Sequence, residues 1–441
     1  SLTEFQAARN DGRLDLRPIA MEDLLHRPQA QLNEAAIDRM IEGGRALVTG
    51  AGGSIGAELC RQIAKRNPAE ITLLDASEYN LYSVDMQIAT EFPHVRCCAV
   101  LADIRDADRI KRIFMARRPE LVFHAAALKH VPLVELNVVE GVLTNVIGTR
   151  NVAEAALACG ATAFVQVSTD KAVNPTSVMG ASKRLAEYYC QALDSVVEKV
   201  PSRTNNPGTR APRFMTVRFG NVLGSSGSVV PLFQAQLQRG GPITVTHPDV
   251  ERYFMTIREA AELVLQTSAC SVTGDIERGR IFVLDMGKPM RILSIAEQMV
   301  RLAGLEPYKD VEIQITGLRR GEKLYEELFD SRERQVDSGI DGVLAAASRP
   351  MDLPSIRWVI DFLAMTCERG DDEKVLRVLT QHVPGFEPIP AVDIAEPHPV
   401  TKKCARGSNE AQAVVPRLAG AVTMGGGAAL PVAPGRKLDV G

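Results

Sequence analysis

The fold is decided by residues 46–56, which read ALVTGAGGSIG. Ala46–Thr49 predicts a short buried strand, and the apolar spacing from Ala57 onward predicts a helix. Glycines between a strand and a helix permit a tight turn, let the backbone approach a pyrophosphate and let the helix pack closely on the strand. The segment therefore predicts a dinucleotide-binding turn. The residues predicted to contact the cofactor here are Gly50, Gly53, Ser54, Ile55 and Gly56.

Short apolar runs recur along the chain and alternate with segments of helical pattern. They occupy 71–75, 95–100, 121–127, 164–168 and 215–220, and a later run at 281–286 is predicted to return to the same sheet. Alternating strands and helices indicate βαβ units, and continuous apolar strands are typical of parallel sheets that are buried on both faces. The predicted class is α/β, a Rossmann-like doubly wound parallel sheet with a smaller C-terminal substrate-binding lobe.

The composition divides the chain into four predicted regions. These are an N-terminal extension at 1–44, a dinucleotide-binding domain at 45–220, an interleaved substrate-binding lobe at 221–389 and a tail at 390–441. Beyond Phe386 the chain has no aromatic residue and is rich in Pro and Gly. Such a segment buries too little apolar surface to offset its ordering entropy, so the tail is predicted to be disordered.

Overall composition is that of a soluble globular enzyme, with 45% hydrophobic and 24% charged residues and a net charge of −3. The lack of a basic excess argues against a nucleic-acid partner. The eight Cys include no CxxC pair, so neither a zinc site nor a disulfide framework is predicted and a reducing cytoplasm is favoured. The sequence contains no run of about 18 apolar residues, so no membrane span is predicted.

Further candidate cofactor residues close the successive strands. Asp75 ends the second strand, where a carboxylate accepts hydrogen bonds from ribose hydroxyls and repels a 2′-phosphate, so NAD is predicted rather than NADP. Asp103 and Ile104 close the third strand, beside the expected adenine edge. Ala125, Ala126 and Ala127 close the fourth, where small side chains admit the cofactor. Ligands bind at this edge of such sheets.

Several longer motifs point to a family. They read TGAGGSIG (49–56), HAAALKHVPLVE (124–135), STDKAV (168–173), RFGNVLGSSGSVVP (218–231), HPDVERYFMTI (247–257) and GEKLYEEL (321–328). Together they resemble the UDP-N-acetylglucosamine 4,6-dehydratases, which are extended short-chain dehydrogenases/reductases of bacterial polysaccharide and protein-glycan synthesis. The resemblance covers roughly residues 16–330.

One position departs from the superfamily pattern Tyr-x-x-x-Lys, because Met179 stands four residues before Lys183 where Tyr is usual. Met neither donates nor accepts a proton. The long, membrane-anchored members of this dehydratase family are similar in carrying Met here, and they also have a stretch like LRPIAMEDLLHRP (16–28). The resemblance therefore implies that subgroup, and a cytoplasmic chain or the cytoplasmic part of a membrane-anchored protein.

The resemblance implies a reaction in three steps. The sugar C4 is oxidised, water is eliminated across C5 and C6, and hydride returns to C6. Lys171 is the implied base at C5 and Asp170 the implied acid at the C6 hydroxyl. We expect burial and nearby positive charge to keep Lys171 neutral, and burial to keep Asp170 protonated. Thr169 is expected to hydrogen-bond the C4 oxygen and Lys183 the nicotinamide ribose; what removes the C4 hydroxyl proton without Tyr stays open.

The resemblance also implies residues around the substrate and cofactor. Asn221, Arg252 and Arg319 match positions for the diphosphate, which suits the planar fork of Arg. Lys129 resembles a residue at the sugar–cofactor junction, Glu322 one that accepts from the uridine ribose, and Asn145 a cofactor contact.

The leading prediction is a C5-retaining 4,6-dehydratase that yields UDP-2-acetamido-2,6-dideoxy-α-D-xylo-hexos-4-ulose. Three alternatives stay open: the C5-inverting dehydratase, a UDP-sugar 4-epimerase, and an inactive nucleotide-sugar-binding scaffold. Epimerases rely on the missing Tyr and have no use for an Asp-Lys pair. A homo-oligomer is also expected, through helices near 132–158 and 179–199.

Overall fold

A computed structural model describes residues 30–197, 211–274, 276–348 and 351–387, together with two short paired strands at Arg9–Asn10 and Arg13–Leu14. The predicted disordered tail at 390–441 lies outside the described residues, as does most of the predicted N-terminal extension. Among the described residues, no helix is long and apolar enough to cross a lipid bilayer.

A nine-stranded sheet forms the centre of the molecule. Its strands are β1 (Arg45–Thr49), β2 (Glu70–Asp75), β3 (Cys97–Leu101), β4 (Leu121–His124), β5 (Ala163–Thr169), β6 (Arg213–Phe219), β7 (Ile281–Leu284), β8 (Arg334–Ile340) and β9 (Val343–Ala347). From one edge to the other the order is β3-β2-β1-β4-β5-β6-β7-β9-β8. The first seven strands in this order pair in parallel, and β9 pairs antiparallel with both of its neighbours, β7 and β8. The predicted α/β class and the return strand after 281 are confirmed.

Helices cover both faces of this sheet. They are α1 (Glu34–Ile41), α2 (Ser54–Ala64), α3 (Glu78–Glu91), α4 (Ala107–Arg117), α5 (Val131–Leu136), α6 (Val138–Val142), α7 (Thr149–Cys159), α8 (Val178–Val197), α9 (Val229–Gln238), α10 (Ile257–Thr273), α11 (Ile292–Leu302), α12 (Leu353–Glu368) and α13 (Asp372–His382). A π-helical turn, Leu143–Gly148, joins α6 to α7. Helices α1, α2, α3 and α10 pack on one face, and α4 to α8 with α12 and α13 on the other.

Burial on both faces explains the continuous apolar strands. Successive side chains of a strand point to opposite faces. In β1, Ala46 and Val48 join the core under α2, whereas Leu47 joins the core under α4 and α8. All three are 2% exposed or less, so neither face of the sheet tolerates a polar residue there.

A smaller lobe follows β6 and has its own core. Helices α9 and α11 pack around the short parallel strand pair Ile243–Val245 and Ile313–Ile315, with Phe233 and Met299 fully buried between them. This lobe is smaller than the predicted 221–389, because β8, β9, α12 and α13 belong to the sheet and its covering helices, as the predicted return strand β7 also does. The hairpin β8–β9 and the position of α12 and α13 were not predicted.

The helices expected to associate with a second copy are covered by the chain itself. Helix α8 is buried along nearly its whole length, and α12 and α13 pack against it and against α6. Ile356, Leu363 and Leu379 are fully buried in that contact. Helices α12 and α13 therefore cover part of the expected association surface, and self-association through 132–158 and 179–199 stays a prediction.

Candidate active site

A cavity of about 610 Å³ opens at the carboxyl edge of the sheet. It is lined by residues of the glycine-rich turn after β1, the loop after β4 at 125–132, the end of β5 with the start of α8, the segments at 219–222 and 225–229, and the loop at 319–326, together with Asn80 and Arg252. The site therefore lies between the sheet and the smaller lobe, where open α/β sheets bind their ligands.

The glycine-rich turn has the geometry of a dinucleotide cradle. Gly50 has φ +65°, and a Cβ there would lie 2.6 Å from the backbone nitrogen of Ala126. A Cβ on Gly56 would clash with the carbonyl group of Gly50. The Asp75 carboxylate accepts hydrogen bonds from the backbone N–H groups of Gly52 (2.9 Å) and Ser77 (2.8 Å), which ties β2 to the turn. Gly53, Ser54 and Ile55 line the cavity.

The other predicted cofactor residues divide between lining and support. Ala125 and Ala127 line the cavity. The backbone of Ala126 packs so closely on Gly50 that it leaves no room there for a Cβ. The Asn145 side chain is fully buried and bonds the backbone N–H (2.9 Å) and carbonyl (3.0 Å) of Leu128, so it holds the loop after β4.

Two predicted residues lie farther along the sheet edge, beyond the residues that line the cavity. Asp103 forms an ion pair with Arg105 at 2.6 Å. Ile104 is buried and packs against Gly148, so closely that a Cβ on Gly148 would lie 2.5 Å from the Ile104 Cδ1 atom. They therefore stay predicted contacts of the adenine edge.

The end of β5 carries a compact hydrogen-bonded group. Asp170 is fully buried, and its Oδ1 atom accepts from the Thr169 hydroxyl (2.9 Å) and the Lys171 ammonium (3.0 Å). Its Oδ2 atom is buried, has no hydrogen-bond partner within the described part of the chain and faces Gly220. Thr169 and Lys171 line the cavity, but Asp170 does not. Asp170 thus lies behind the two residues it contacts, and its expected contact with a sugar hydroxyl stays a prediction.

Lys171 is held by oxygen atoms on three sides. Its Nζ atom donates to Asp170 and to the Asn221 side-chain oxygen, each at 3.0 Å, and lies 3.6 Å from Glu326. Burial alone would lower the pKa of Lys171, but the carboxylates of Asp170 and Glu326 outweigh burial and raise that pKa. The expected neutral amine is therefore wrong for this state, because the sequence did not reveal the second carboxylate.

Met179 and Lys183 lie one helical turn apart on α8, and both line the cavity. Lys183 is 5% exposed, and its Nζ atom donates to the Val167 carbonyl at 2.7 Å. Burial lowers the pKa of Lys183 to about 8. The Tyr position is therefore filled by an apolar side chain, and a Lys that loses its proton readily stands beside it.

The predicted substrate residues all line the cavity, but their engagement differs. The Arg252 guanidinium donates to the carbonyls of Glu251 (2.7 Å), Lys323 (2.8 Å) and Leu324 (3.1 Å) and to the Glu322 carboxylate (3.3 Å). Its fork is thus directed at the chain, where it fixes the loop at 319–326, rather than presented to a diphosphate.

Arg319, Glu322 and Lys129 have surroundings that differ from those of Arg252. Arg319 is exposed at the cavity edge, and Glu322 also accepts from Thr246 at 3.0 Å. Burial lowers the pKa of Lys129.

Glu326 is a site residue that sequence reasoning missed. Its side chain is 3% exposed, lines the cavity and lies 3.6 Å from Lys171 and 3.7 Å from Arg252. The available signal was its place within GEKLYEEL, but Lys171 lies 155 positions earlier in the chain. Among the described residues, no cluster of His, Cys, Asp and Glu is placed to hold a metal ion.

Comparison with known proteins gives a family match over residues 46–347, to the polysaccharide biosynthesis protein family. Capsular polysaccharide biosynthesis protein CapD of Staphylococcus aureus is 45% identical over 72% of this chain and 50% of its own length. Probable polysaccharide biosynthesis protein EpsC of Bacillus subtilis is 44% identical over 79% and 55%. The chain thus spans about half the length of these curated relatives.

Two further proteins are similar over most of their own length. A UDP-glucose 4-epimerase of Rickettsia massiliae is 33% identical over 65% of this chain and 78% of its own. The X-ray structure of Pen from Bacillus thuringiensis superimposes with a TM-score of 0.58 and 30% identity, over 70% of this chain and 87% of that one.

Proposed function

The chain belongs to the polysaccharide biosynthesis protein family, and from that premise we propose that it catalyses the NAD-dependent 4,6-dehydration of UDP-N-acetylglucosamine. The product is the 4-keto-6-deoxy sugar with retained C5 configuration. The observation that carries this proposal is the group Thr169-Asp170-Lys171 at the end of β5, which faces the cavity beside Met179. Proton transfer at C5 needs a base there, and Lys171 is the proposed base, whereas Met179 can neither donate nor accept a proton.

The glycine cradle fits NAD. The space over Gly50, Gly53 and Gly56 admits a backbone-close pyrophosphate, which the N-terminus of α2 would stabilise. The Asp75 carboxylate would accept hydrogen bonds from ribose hydroxyls and would repel a 2′-phosphate. When bound, NAD would accept hydride from C4 and return it to C6. Lys183 would contact the nicotinamide ribose, as its position on α8 supports.

The protein's own groups have separate roles in this proposal. Thr169 donates its hydroxyl hydrogen to Asp170 and accepts from the backbone N–H of Lys171 at 3.4 Å, so one lone pair is left to accept the C4 hydroxyl. Lys171, after losing its proton, removes the proton at C5. Asp170 and Asn221 fix the direction of the Lys171 side chain. Arg319 binds the diphosphate at the cavity edge, and Arg252 holds the loop that carries Glu322.

A second candidate is a UDP-sugar 4-epimerase, which the similarity to the Rickettsia protein of that name favours. The two activities predict different products from UDP-N-acetylglucosamine in D₂O. Dehydration gives a C6 methyl group and solvent deuterium at C5. Epimerisation gives the C4 epimer, with the C6 hydroxyl and the C5 proton retained.

The test is NMR of the product, with two variants as a matched pair. Lys171→Ala removes the proposed base and should lower product formation by about 10²-fold or more while UDP binding persists. Met179→Ala, at a cavity residue with no proton to transfer, should do much less harm. A C4 epimer instead of a 6-deoxy product, or Lys171→Ala close to wild type, would contradict the dehydratase proposal. Binding of NAD and UDP-sugar without any product would indicate the inactive scaffold.

A further inference from the structure

Two segments of the site run side by side in opposite directions. One is the segment 171–176, which follows β5, and the other belongs to the loop at 319–326, here called the nucleotide loop. Side chains join the two at three points whose order is reversed along the chain. From one end to the other, the pairs are Lys171 with Glu326 (3.6 Å), Val173 with Lys323 (2.8 Å) and Thr176 with Gly321 (3.0 Å). The nucleotide loop is therefore attached along the segment that follows the reacting group.

The middle contact holds the turn that carries Asp170 and Lys171. This turn is the short 3₁₀ helix Asp170–Ala172, and the Val173 N–H closes it by donating to the Asp170 carbonyl at 3.0 Å. Val173 is fully buried, so its own carbonyl needs a donor from the protein. The Lys323 ammonium is that donor, and a hydrogen bond from an ionised donor is roughly twice as strong as a neutral one. Lys323 therefore fixes the far end of the turn.

Lys323 is also part of the nucleotide loop itself. It follows Glu322 in the chain, and its backbone carbonyl accepts from the Arg252 guanidinium at 2.8 Å. Its side chain lines the cavity but is only 12% exposed, and its Nζ atom also lies 3.6 Å from the Glu327 carboxylate. The ammonium is thus directed at two oxygen atoms of the protein, although its position in the cavity wall would suit a phosphate ligand.

We propose that Lys323 is a positioning residue, which couples binding of the UDP moiety on the nucleotide loop to the orientation of the Asp170–Ala172 turn. This inference rests on the proposed function, because it takes Arg319 and Glu322 as the residues that hold UDP. A nucleotide held on the loop restrains Lys323, and Lys323 restrains Val173 and the turn before it. Binding energy from the nucleotide, which takes no part in the reaction, thereby orients the reacting groups at the sugar.

The test follows hydrogen exchange with and without UDP, which requires no turnover. The variant is Lys323→Met, which keeps an unbranched side chain of similar length and removes the ammonium. The matched control is Lys309→Met, since Lys309 is exposed in the smaller lobe and pairs with Glu306. Mass spectrometry measures deuterium uptake in a peptide spanning 168–178. UDP affinity is measured by calorimetry, and kcat and KM are measured for the 6-deoxy product.

In wild type and Lys309→Met we expect saturating UDP to slow exchange in this peptide. Lys323→Met should lose about half of that protection or more, while its UDP affinity and KM stay within about threefold of wild type. Its kcat should fall by about 10-fold or more, because a small misplacement of reacting groups costs that much. A merely structural loss would instead raise exchange equally with and without UDP, and the protection by UDP would persist.

Full protection by UDP in Lys323→Met would overturn the role of Lys323. A loss of UDP affinity by about tenfold or more would also overturn it, because the ammonium would then be a direct phosphate ligand. Exchange in wild type that does not respond to UDP would do the same. If wild type makes no 6-deoxy product but keeps the protection by UDP, the dehydratase function fails and the coupling through Lys323 stands.

Discussion

Two glycines of the nucleotide turn should fail in different ways when changed to Ala. A Cβ on Gly56 would lie 2.8 Å from the Gly50 carbonyl carbon and 3.0 Å from the Ala51 Cα, both backbone atoms that no side-chain rotation can move. Helix α2 must therefore shift from β1. Overpacking of this kind costs about 1–3 kcal/mol, so Gly56→Ala should lose that much free energy of unfolding.

Gly53→Ala is the matched control in the same turn. Gly53 has φ −73°, which any residue adopts, and its Cβ would meet only the Gly50 carbonyl oxygen at 3.2 Å. It should keep the wild-type unfolding free energy within about 0.5 kcal/mol. Because Gly53 lines the cavity, its added methyl group should still weaken NAD binding. Urea unfolding and NAD titration of both variants make the comparison. Equal destabilisation by the two substitutions, or a Gly56→Ala protein as stable as wild type, would refute the reasoning.

Three further outcomes are expected. Asp75→Asn removes the charge that opposes a 2′-phosphate, so the preference for NAD over NADP should fall by about tenfold in binding titrations; an unchanged ratio would contradict the assignment. The folded-state pKa of Lys183, about 8, lies below its usual 10.5, so the unfolded chain binds more protons between these values. The free energy of unfolding of wild type should therefore rise by up to roughly 3 kcal/mol relative to that of Lys183→Met between pH 8 and pH 10.5. A difference between the two proteins that stays constant over this pH range in urea unfolding would argue against the prediction. The fully buried Arg218 donates four hydrogen bonds to Glu187 and Glu333. Arg218→Met leaves Arg184 as the remaining cation beside these two carboxylates and should lower the free energy of unfolding by about 3–5 kcal/mol in the same assay; a loss below about 1 kcal/mol would contradict this.

The sequence was sufficient for the elements whose signals are local. The strands at 46–49, 71–75 and 121–124 are apolar throughout, and glycines at defined offsets mark the first turn, so both follow from short windows. The hairpin β8–β9 was missed because Arg334–Ile340 mixes charged and polar residues and extends an edge of the sheet, where one-sided burial leaves a weak pattern. Helices α12 and α13 have clear helical patterns, but which surface they cover depends on contacts far away in the chain.

The site shows the same division. The positions of Thr169, Lys171 and Lys183 follow from the end of β5 and the start of α8, which are close in the chain. The ionisation of Lys171 could not be predicted, because it depends on Glu326 and Arg252. Both residues are far from Lys171 in the sequence and lie near it only in the folded chain. Arg252 was assigned to the diphosphate from the resemblance to the family, and the three backbone carbonyls that accept its hydrogen bonds have no sequence signature.

The cover of α12 and α13 over α8 has a consequence for how copies of this chain meet. While α12 and α13 stay in place, they cover α8, one of the helices of the predicted contact between two copies. An assembly built directly on α8 would have to displace them, whereas an assembly on other surfaces would not. Met365 and Trp358 are exposed on the outer side of α12. Cross-links from these residues to a second copy would report copies that meet at α12 rather than at the helices beneath it.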